Sequence, residues 1–337
     1  MLYSLDEICL IPATQSCVES RSDVTVFTTK NRYPLFTAPM SCLLDENNYK
    51  QYDDAGINTI IPRSVSWETR LELLKTGQWV AVGFKEAKWI YDVTINCERI
   101  RICIDQANGH MTKLLELCKE LKNKYGNRIR IMTGNIANPY TYREYARAGV
   151  DYVRVVIGGG GACTTSVQTG IFYPAGSLII GCVEQRRQVK EEIAYGGQYK
   201  SIPKIVADGG LKRIDQMIKA LALGADYVML GEALAFCDVT NGTQMGRFRS
   251  YYGMSTVKAQ KEINEASLFK VDEFIPKHPE GVSRDVPILY RIKDWVSDFD
   301  HALRSCMSYT GALNLNEFKG SVKWDTMSTA TLKSYDK

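Results

Sequence analysis

The chain has 337 residues, of which 45% are hydrophobic and 24% are charged, and its formal net charge at pH 7 is +4. This length and composition suffice for a large folded core and exclude a mainly disordered chain. The positive charge is spread along the chain, so it gives no electrostatic reason to expect a nucleic acid or an anionic membrane as partner. We therefore expect a small-molecule ligand.

The amino-terminal residues, MLYSLDEICLIPA, are acidic where a secretory signal would carry Lys or Arg. No apolar run approaches the roughly 20 residues that cross a membrane, and these features predict a cytoplasmic protein. The ten cysteines are widely spaced in a chain too large to need disulfides, which predicts reduced thiols. Because the three histidines are far apart and no CxxC motif occurs, we expect no structural zinc site.

An amino-terminal extension, residues 1–34, precedes the first predicted strand. Within it, ESRSDVTVFTTKNRYP (19–34) alternates as a β-hairpin does. We expect this hairpin to cap the floor of the fold.

From residue 35 to residue 231, short apolar or β-branched runs alternate with helix-like segments such as MTKLLELCKELKNKYG and RIDQMIKALALGA. The eight predicted strands are LFTAP (35–39), NTIIP (58–62), WVAVGF (79–84), RICID (101–105), RIMTG (130–134), YVRVVIG (152–158), KIVADG (204–209) and YVMLG (227–231). Such alternation requires parallel strands with right-handed crossovers. Eight units in about 250 residues favour one closed (β/α)8 TIM barrel of the α/β class over an open α/β sheet.

In such a barrel, ligand sites lie where the strands end. The predicted strand ends carry Met40, Arg63, Lys85, Asp105, Asn108, Asn135, Cys163, Asp208 and Glu232. This concentration of polar and reactive side chains predicts an active site at the carboxyl face.

The sixth strand leads into IGGGGACTTS (157–166), whose successive glycines permit positive φ and close approach to a ligand. This loop is predicted to present Cys163 to a ligand, although a free cysteine is more often a small buried hydrophobe. The turns ADGG (207–210) and MLGE (229–232) follow the next two strands. Their amides suit a phosphate group, and a simple tight βα connection is the alternative.

Two segments depart from the alternation. Residues 164–203 are predicted to form one long loop and a helix. The tail from about residue 240 to residue 337 is rich in Tyr, Lys and Asp, and its stretch 268–291 is predicted to be irregular. Long irregular loops of this kind are often lids or binding loops.

The motifs IGGGGACTTS, VADGGLKRIDQMIKALALGADYVMLG and YYGMS resemble the family of inosine monophosphate dehydrogenase and guanosine monophosphate reductase. DEICLIPA, TAPM, IDQANG, MTGNIA, PEGV and RSCMSYTGA are similar to further family motifs in the same order, over most of residues 6–315. In this family a thiolate attacks carbon 2 of a purine nucleotide, and a nicotinamide cofactor exchanges a hydride there. The resemblance implies that Cys163 is the nucleophile, that Thr165 assists the leaving group or water, and that Glu280 is the acid/base of a mobile flap, residues 256–291.

The resemblance also implies binding positions, with Asp208 on the ribose hydroxyls. Those for the substrate are Gly161, Asp208, Gly209, Gly210, Gly231, Glu232, Tyr251, Gly253, Met254 and Ser255. Those for the cofactor, NADPH or NADH, are Arg63, Asp105, Asn108, Gly109 and Asn135. Gly158, Gly160 and Cys163 resemble a loop that binds K⁺ in the dehydrogenases. Family members are typically homotetramers, which we also expect here.

Within the family, three features favour the reductase branch. Residues 256–279 contain no Arg, so the Arg-Tyr dyad that activates water in the dehydrogenases is missing, and no regulatory domain pair interrupts the barrel. YGMS (252–255) also resembles the reductases. We expect NADPH-dependent reductive deamination of a guanine nucleotide. A non-phosphorylated or modified purine substrate, an inosine monophosphate dehydrogenase and a non-catalytic purine-binding regulator remain open alternatives.

The chain departs from the family pattern at the phosphate position. Gly161 replaces a serine, Glu232 replaces a glycine or serine, and Arg63 and Ser41 also diverge. Two like charges about 4 Å apart repel by roughly 4 kcal/mol at an effective dielectric near 20. We therefore expect that Glu232 turns away, is screened by Arg or Lys, or faces a substrate without a phosphate.

Overall fold

The computed structural model describes residues 1–29, 31–93 and 95–335. In chain order its strands are β1 (Ile8–Leu10), β2 (Leu35–Thr37), β3 (Ile60–Ile61), β4 (Trp79–Val82), β5 (Ile100–Asp105), β6 (Ile129–Ile136), β7 (Tyr152–Val155), β8 (Lys204–Asp208), β9 (Tyr227–Leu230), β10 (Gln244–Met245), β11 (Phe248–Tyr252), β12 (Ser283–Pro287) and β13 (Trp324–Thr326).

Its helices alternate with the strands over the middle of the chain. They are α1 (Tyr49–Asp54), α2 (Trp67–Lys75), α3 (Phe84–Asp92), α4 (Thr112–Tyr125), α5 (Thr141–Ala148), α6 (Thr165–Thr169), α7 (Ala175–Ala194), α8 (Ile214–Ala222), α9 (Glu232–Ala235), α10 (Val257–Ala266), α11 (Ile292–Thr310), α12 (Leu315–Phe318) and α13 (Thr329–Tyr335).

The eight strands β2–β9 form one parallel sheet in the order β2-β9-β8-β7-β6-β5-β4-β3. The circle closes between β2 and the segment before β3, where Thr37 donates to the carbonyl of Asn58 (2.9 Å) and Asn58 donates to that of Leu35 (3.0 Å). The predicted (β/α)8 TIM barrel is confirmed, and each predicted strand overlaps an observed one.

The strands and helices follow from the burial pattern of the sequence. All four residues of β4 are buried, as expected for a strand covered by side chains on one face and helices on the other. On α4 the buried residues Leu114, Leu117, Cys118 and Leu121 follow the i, i+3, i+4, i+7 spacing of a helix with one apolar face. The helix-like segments predicted at 111–126 and 213–225 correspond to α4 and α8.

A cluster of aromatic rings fills the amino-terminal end of the barrel. Trp79, Tyr152 and Tyr227 are the first residues of their strands, and all three rings lie 5.0–6.1 Å from the ring of Phe36 on β2. Because β4 and β7 are not neighbours of β2 in the sheet, these contacts cross the interior. They close the end of the barrel opposite to the cleft described below.

Two local predictions are wrong, and a third is right except for one strand. Residues 19–34 form a short 3-10 turn at Arg21–Asp23 and an isolated bridge between Thr29 and Arg32, and the described residues contain no hairpin strands there; Lys30 lies outside them. The segment 164–203 holds two helices, α6 and α7, rather than one. The stretch 268–291 is irregular except for β12, which joins β10 and β11 in an antiparallel sheet.

Candidate active site

A cleft of about 630 Å³ opens at the carboxyl ends of the barrel strands, within the usual size range of small-molecule sites. The predicted site residues that line it are Arg63, Asp105, Asn135, Gly158, Gly160, Gly161, Cys163, Thr165, Asp208, Gly209, Gly210, Gly231, Glu232, Tyr251, Gly253, Met254, Ser255 and Glu280. The fold therefore brings together residues from nearly the whole length of the barrel sequence.

Two predicted cofactor positions do not line this cleft. The exposed side chain of Asn108 accepts a hydrogen bond from the amide of His110 (2.9 Å). Gly109 is buried and donates to the carbonyl of Asn135 (2.9 Å), and a Cβ at this position would lie 2.6 Å from that same oxygen. Both residues shape the loop after β5, and Gly109 lets it pack against the end of β6.

Cys163 stands at the start of a chain of hydrogen bonds. Its amide donates to the carbonyl of Gly160 (2.9 Å), which fixes the turn of the glycine loop. Its Sγ donates to Oγ1 of Thr165 (3.3 Å), and that hydroxyl donates to Oε2 of Glu280 (2.6 Å). A carboxylate at the end of this chain can accept the thiol proton and so generate the nucleophilic thiolate.

Cys163 differs in its surroundings from the cysteines of the barrel wall. All ten cysteines are free in the structure. Burial raises the pKa of Cys42, Cys103, Cys118 and Cys182 to about 12, so these thiols stay protonated and unreactive at neutral pH. Cys163 is half-buried and lines the polar cleft, where a ligand can reach it.

Arg154 on β7 joins the two carboxylates of the cleft and was not among the predicted site residues. Its Nε donates to Oδ2 of Asp208 (2.8 Å) and its Nη1 donates to Oδ1 of Asp105 (2.7 Å). Burial disfavours the charged guanidinium, but Asp208, Cys103 and Asp105 outweigh this effect and raise the pKa of Arg154. A charged residue inside the apolar run YVRVVIG is the sequence signal that could have indicated it.

The segment that carries Glu280 lies against the cysteine loop. Gly281 forms a β-bridge with Cys163, the amide of Val282 donates to the carbonyl of Ala162 (3.1 Å), and the amide of Gly253 donates to the carbonyl of Val282 (3.2 Å). A Cβ at Gly253 would lie 2.6 Å from the carbonyl oxygen of Ala162. Glycine there lets the segment before α10 approach the nucleophile loop closely.

Glu232 lines the cleft beside Gly161. Its Oε1 accepts a hydrogen bond from Nη2 of Arg284, and its Oε2 lies 3.7 Å from Nζ of Lys212. The carboxylate is thus screened by a guanidinium, which is one of the three arrangements expected from the sequence.

The glycine loop has its carbonyls engaged by the protein. The carbonyl of Gly158 accepts from Oγ of Ser166 (3.3 Å), and that of Gly160 accepts from the amide of Cys163. The K⁺ loop therefore stays a prediction. Over residues 1–29, 31–93 and 95–335, no group of three or more His, Cys, Asp or Glu side chains is placed to hold a metal ion. None of the described helices is both long and apolar enough to span a bilayer.

Known proteins share this sequence pattern. A profile of the IMP dehydrogenase / GMP reductase domain matches residues 75–336. The inosine-5′-monophosphate dehydrogenases of Chlorobaculum tepidum and Borreliella burgdorferi are each 30% identical to the chain over 69% of its length, and the matches cover 46% and 56% of those proteins. The enzyme of that name from Yersinia pestis is 33% identical over 69% of the chain and 46% of its own length. The chain thus spans about half the length of the curated relatives it matches. It belongs to the IMP dehydrogenase / GMP reductase family.

Proposed function

We propose that the chain catalyses NADPH-dependent reductive deamination of a ribosylated guanine, the reaction class of guanosine monophosphate reductase. The observation that carries this proposal is the hydrogen-bonded series from Cys163 through Thr165 to Glu280. It joins a nucleophile, a proton carrier and an acid/base group in one cleft, which is what the displacement of an amino group from carbon 2 requires.

The residues act in sequence. Glu280 takes the thiol proton through Thr165, and the thiolate of Cys163 forms a bond to carbon 2 of the guanine ring. Glu280 then returns that proton through Thr165 to the exocyclic amino group, which leaves as ammonia. After reduction at carbon 2 the carbon–sulfur bond breaks and a solvent proton restores the thiol. One guanine ring, one NADPH and one proton thereby give one hypoxanthine ring, NADP⁺ and ammonia.

The cofactor end of the cleft has an unsatisfied donor that fits a polar ligand. Arg63 lines the cleft, and its buried Nε has no hydrogen-bond partner in the described part of the chain. A phosphate or carbonyl oxygen of a dinucleotide would satisfy it, since buried donors are normally paired. When bound, a nicotinamide cofactor supplies the hydride that reduces carbon 2.

A dehydrogenase is the second candidate, and the names of the relatives favour it. Hydrolysis of the covalent intermediate needs a base that activates water. The segment 256–279 contains no Arg for the dyad that serves this purpose in the dehydrogenases. Its cleft-lining ionisable residues are Lys277 and His278. We therefore place the reductase first.

Turnover assays separate the two candidates. We expect loss of reduced-nicotinamide absorbance, with ammonia released in equal amount, when NADPH is mixed with guanosine or guanosine monophosphate. Inosine or inosine monophosphate with NAD should give no xanthine-ring product. Formation of that product in the absence of reductive turnover would establish the dehydrogenase instead. Cys163→Ala should abolish either reaction.

Thr165→Val tests the proton path. The substitution keeps the side-chain volume but removes the hydroxyl between Cys163 and Glu280, so we expect kcat to fall by at least about a hundredfold, a typical contribution of acid–base catalysis. Purine affinity should change little, and Thr165→Ser should restore most of the activity. The control is Thr164→Val, because within the described part of the chain the Thr164 hydroxyl accepts a hydrogen bond from Nε2 of Gln168 (3.0 Å) and hydrogen-bonds neither Cys163 Sγ nor Glu280. A Thr165→Val enzyme with unchanged kcat would contradict the relay.

A further inference from the structure

We infer that the purine taken by this cleft is a nucleoside that carries no phosphate on its sugar. The inference rests on the proposed function, because it specifies the substrate of the same site. Three observations carry it. Gly161 and Glu232 are in close contact, one buried oxygen of Glu232 accepts no hydrogen bond in the described residues, and Arg284 is already bound to the other oxygen.

The Glu232 carboxylate fills the space that a side chain at residue 161 would need. A Cβ at residue 161 would lie 1.7 Å from Oε2 of Glu232 and 2.6 Å from its carboxyl carbon. No side chain at residue 161 is compatible with this position of the carboxylate, so the glycine makes room for it. Both positions are those where the family resemblance implies contacts to the phosphate. The two departures from the family pattern are therefore a single structural change, in which a carboxylate fills the phosphate end of the cleft.

The carboxylate offers a hydrogen-bond acceptor to a ligand in the cleft. The side chain of Glu232 is 11% exposed, and its buried Oε2 has no hydrogen-bond partner in the described residues, because Lys212 at 3.7 Å is too distant. A buried acceptor without a donor is costly, and a sugar hydroxyl would supply one. A phosphate monoester, nearly dianionic at neutral pH, has no proton to offer this oxygen, and the negative charge of Glu232 opposes it even though Arg284 and Lys212 offset part of that charge.

Arg284 is the cation nearest to this carboxylate, and it is already engaged. Its guanidinium bonds Glu232 and lies 5.6 Å from the ring centroid of Tyr251, on the neighbouring strand. A phosphate would have to share the guanidinium with the Glu232 carboxylate, whose negative charge opposes it. A nucleoside leaves the pair intact and adds a hydrogen bond to the free oxygen.

Calorimetric binding of guanosine and of guanosine monophosphate to the cofactor-free wild-type chain tests the inference. We expect guanosine to bind at least about tenfold more tightly, since like-charge contacts oppose the monophosphate. Glu232→Gln keeps the side-chain shape. It should reduce the ratio of guanosine affinity to monophosphate affinity, because it strengthens binding of the monophosphate. The pair Gly161→Ser with Glu232→Gly should reverse the preference. The control Asp285→Asn makes the same charge change at an exposed position on β12 and should leave the ratio unaltered.

The binding assay does not depend on turnover. If guanosine binds more tightly but neither compound is reduced by NADPH, the proposed reaction fails and the substrate inference stands. Tighter binding of the monophosphate by the wild-type chain overturns the inference even if the reduction proceeds. Absence of binding by both compounds overturns it as well.

Discussion

At the scale of single residues, Arg154 determines how the two carboxylates of the cleft are held. Asp105 ends β5, Asp208 ends β8, and the guanidinium between them lies on β7. Asn135 adds a hydrogen bond from its side-chain amide to Oδ2 of Asp208 (2.8 Å). Because the charges are paired and hydrogen-bonded, two aspartates can lie close together in a half-buried site.

Arg154→Gln should leave Asp105 and Asp208 without the guanidinium that bonds both of them. Removal of one partner from a buried ionic network leaves uncompensated charge, so we expect the free energy of unfolding to fall by about 3–5 kcal/mol. Urea denaturation at neutral pH measures this loss. The control is Arg130→Gln, which removes an exposed guanidinium from Asp151 and should cost less than about 1 kcal/mol. Equal losses in the two variants would contradict the central role of Arg154.

The sequence predicted most of the cleft because its residues follow strand ends, where the barrel concentrates them. It did not predict what those residues do to one another. Arg154 sits inside a strand, and its two partners are 49 and 54 residues away in the chain. The fit of Glu232 against Gly161 depends on loops after two different strands. Contacts of this kind arise only when the barrel closes.

At the scale of elements, a buried ion pair joins consecutive βα units. Arg70 on α2 and Glu86 on α3 meet at 2.8 Å with side chains 0% and 4% exposed. Arg70 also donates to the carbonyls of Val65 and Ala81, and Glu86 accepts from the amide of Gly83. The pair therefore fixes two helices and the end of the strand between them.

Glu86→Gln should show how much this ion pair contributes to stability, through the pH dependence of the free energy of unfolding. Burial would raise the pKa of Glu86, but the bonds from Arg70 dominate and hold it below the ordinary value of 4.5. A depressed carboxyl pKa contributes stability above the unfolded value, which is lost as the pH falls through the folded value. We expect the variant to be about 3 kcal/mol less stable at pH 7, with the gap to wild type shrinking below about pH 4.5.

Urea denaturation between pH 7 and pH 3 measures the difference in free energy of unfolding between the wild type and Glu86→Gln. Glu68→Gln is the matched control, because Glu68 is an exposed carboxylate on α2, and it should change the stability by no more than about 0.5 kcal/mol. A gap that stays constant between pH 7 and pH 3 would show that the charge on Glu86 is not what stabilises the helices.

The sequence predicted the strands and helices of the repeating βα units correctly. It failed for segments whose partners are far away in the sequence. Buried strands are recognisable because both of their faces are apolar. The extension 19–34 alternates like a hairpin, yet Val24 and Val26 are buried and Thr25 bridges Asn314 near the other end of the chain. Likewise, the paired residues of β11 and β12 are more than 30 positions apart in the sequence, and no local pattern indicates this pairing.

At the scale of the whole molecule, the candidate active-site cleft and a packed aromatic cluster lie at opposite ends of the barrel. The cleft residues follow the carboxyl ends of the strands, and the aromatic cluster around Phe36 fills the amino ends. Lys204 lies 5.7 and 5.3 Å from the ring centroids of Tyr152 and Tyr227 in this cluster. Substitutions at the two ends should therefore have different consequences.

Phe36→Ala should reduce stability without altering the reaction. Phe36 is 2% exposed and its ring contacts rings from three other strands, so truncation leaves a cavity that costs about 3–5 kcal/mol. Urea denaturation measures the loss, and Phe248→Ala, at a ring 39% exposed, should cost much less. Because the ring lies at the end of the barrel opposite to Cys163, kcat of the folded variant should stay within about twofold of wild type. A large fall in kcat for Phe36→Ala would mean that a change in packing at the amino-terminal end of the barrel alters the cysteine loop. The two ends of the barrel would then be structurally coupled.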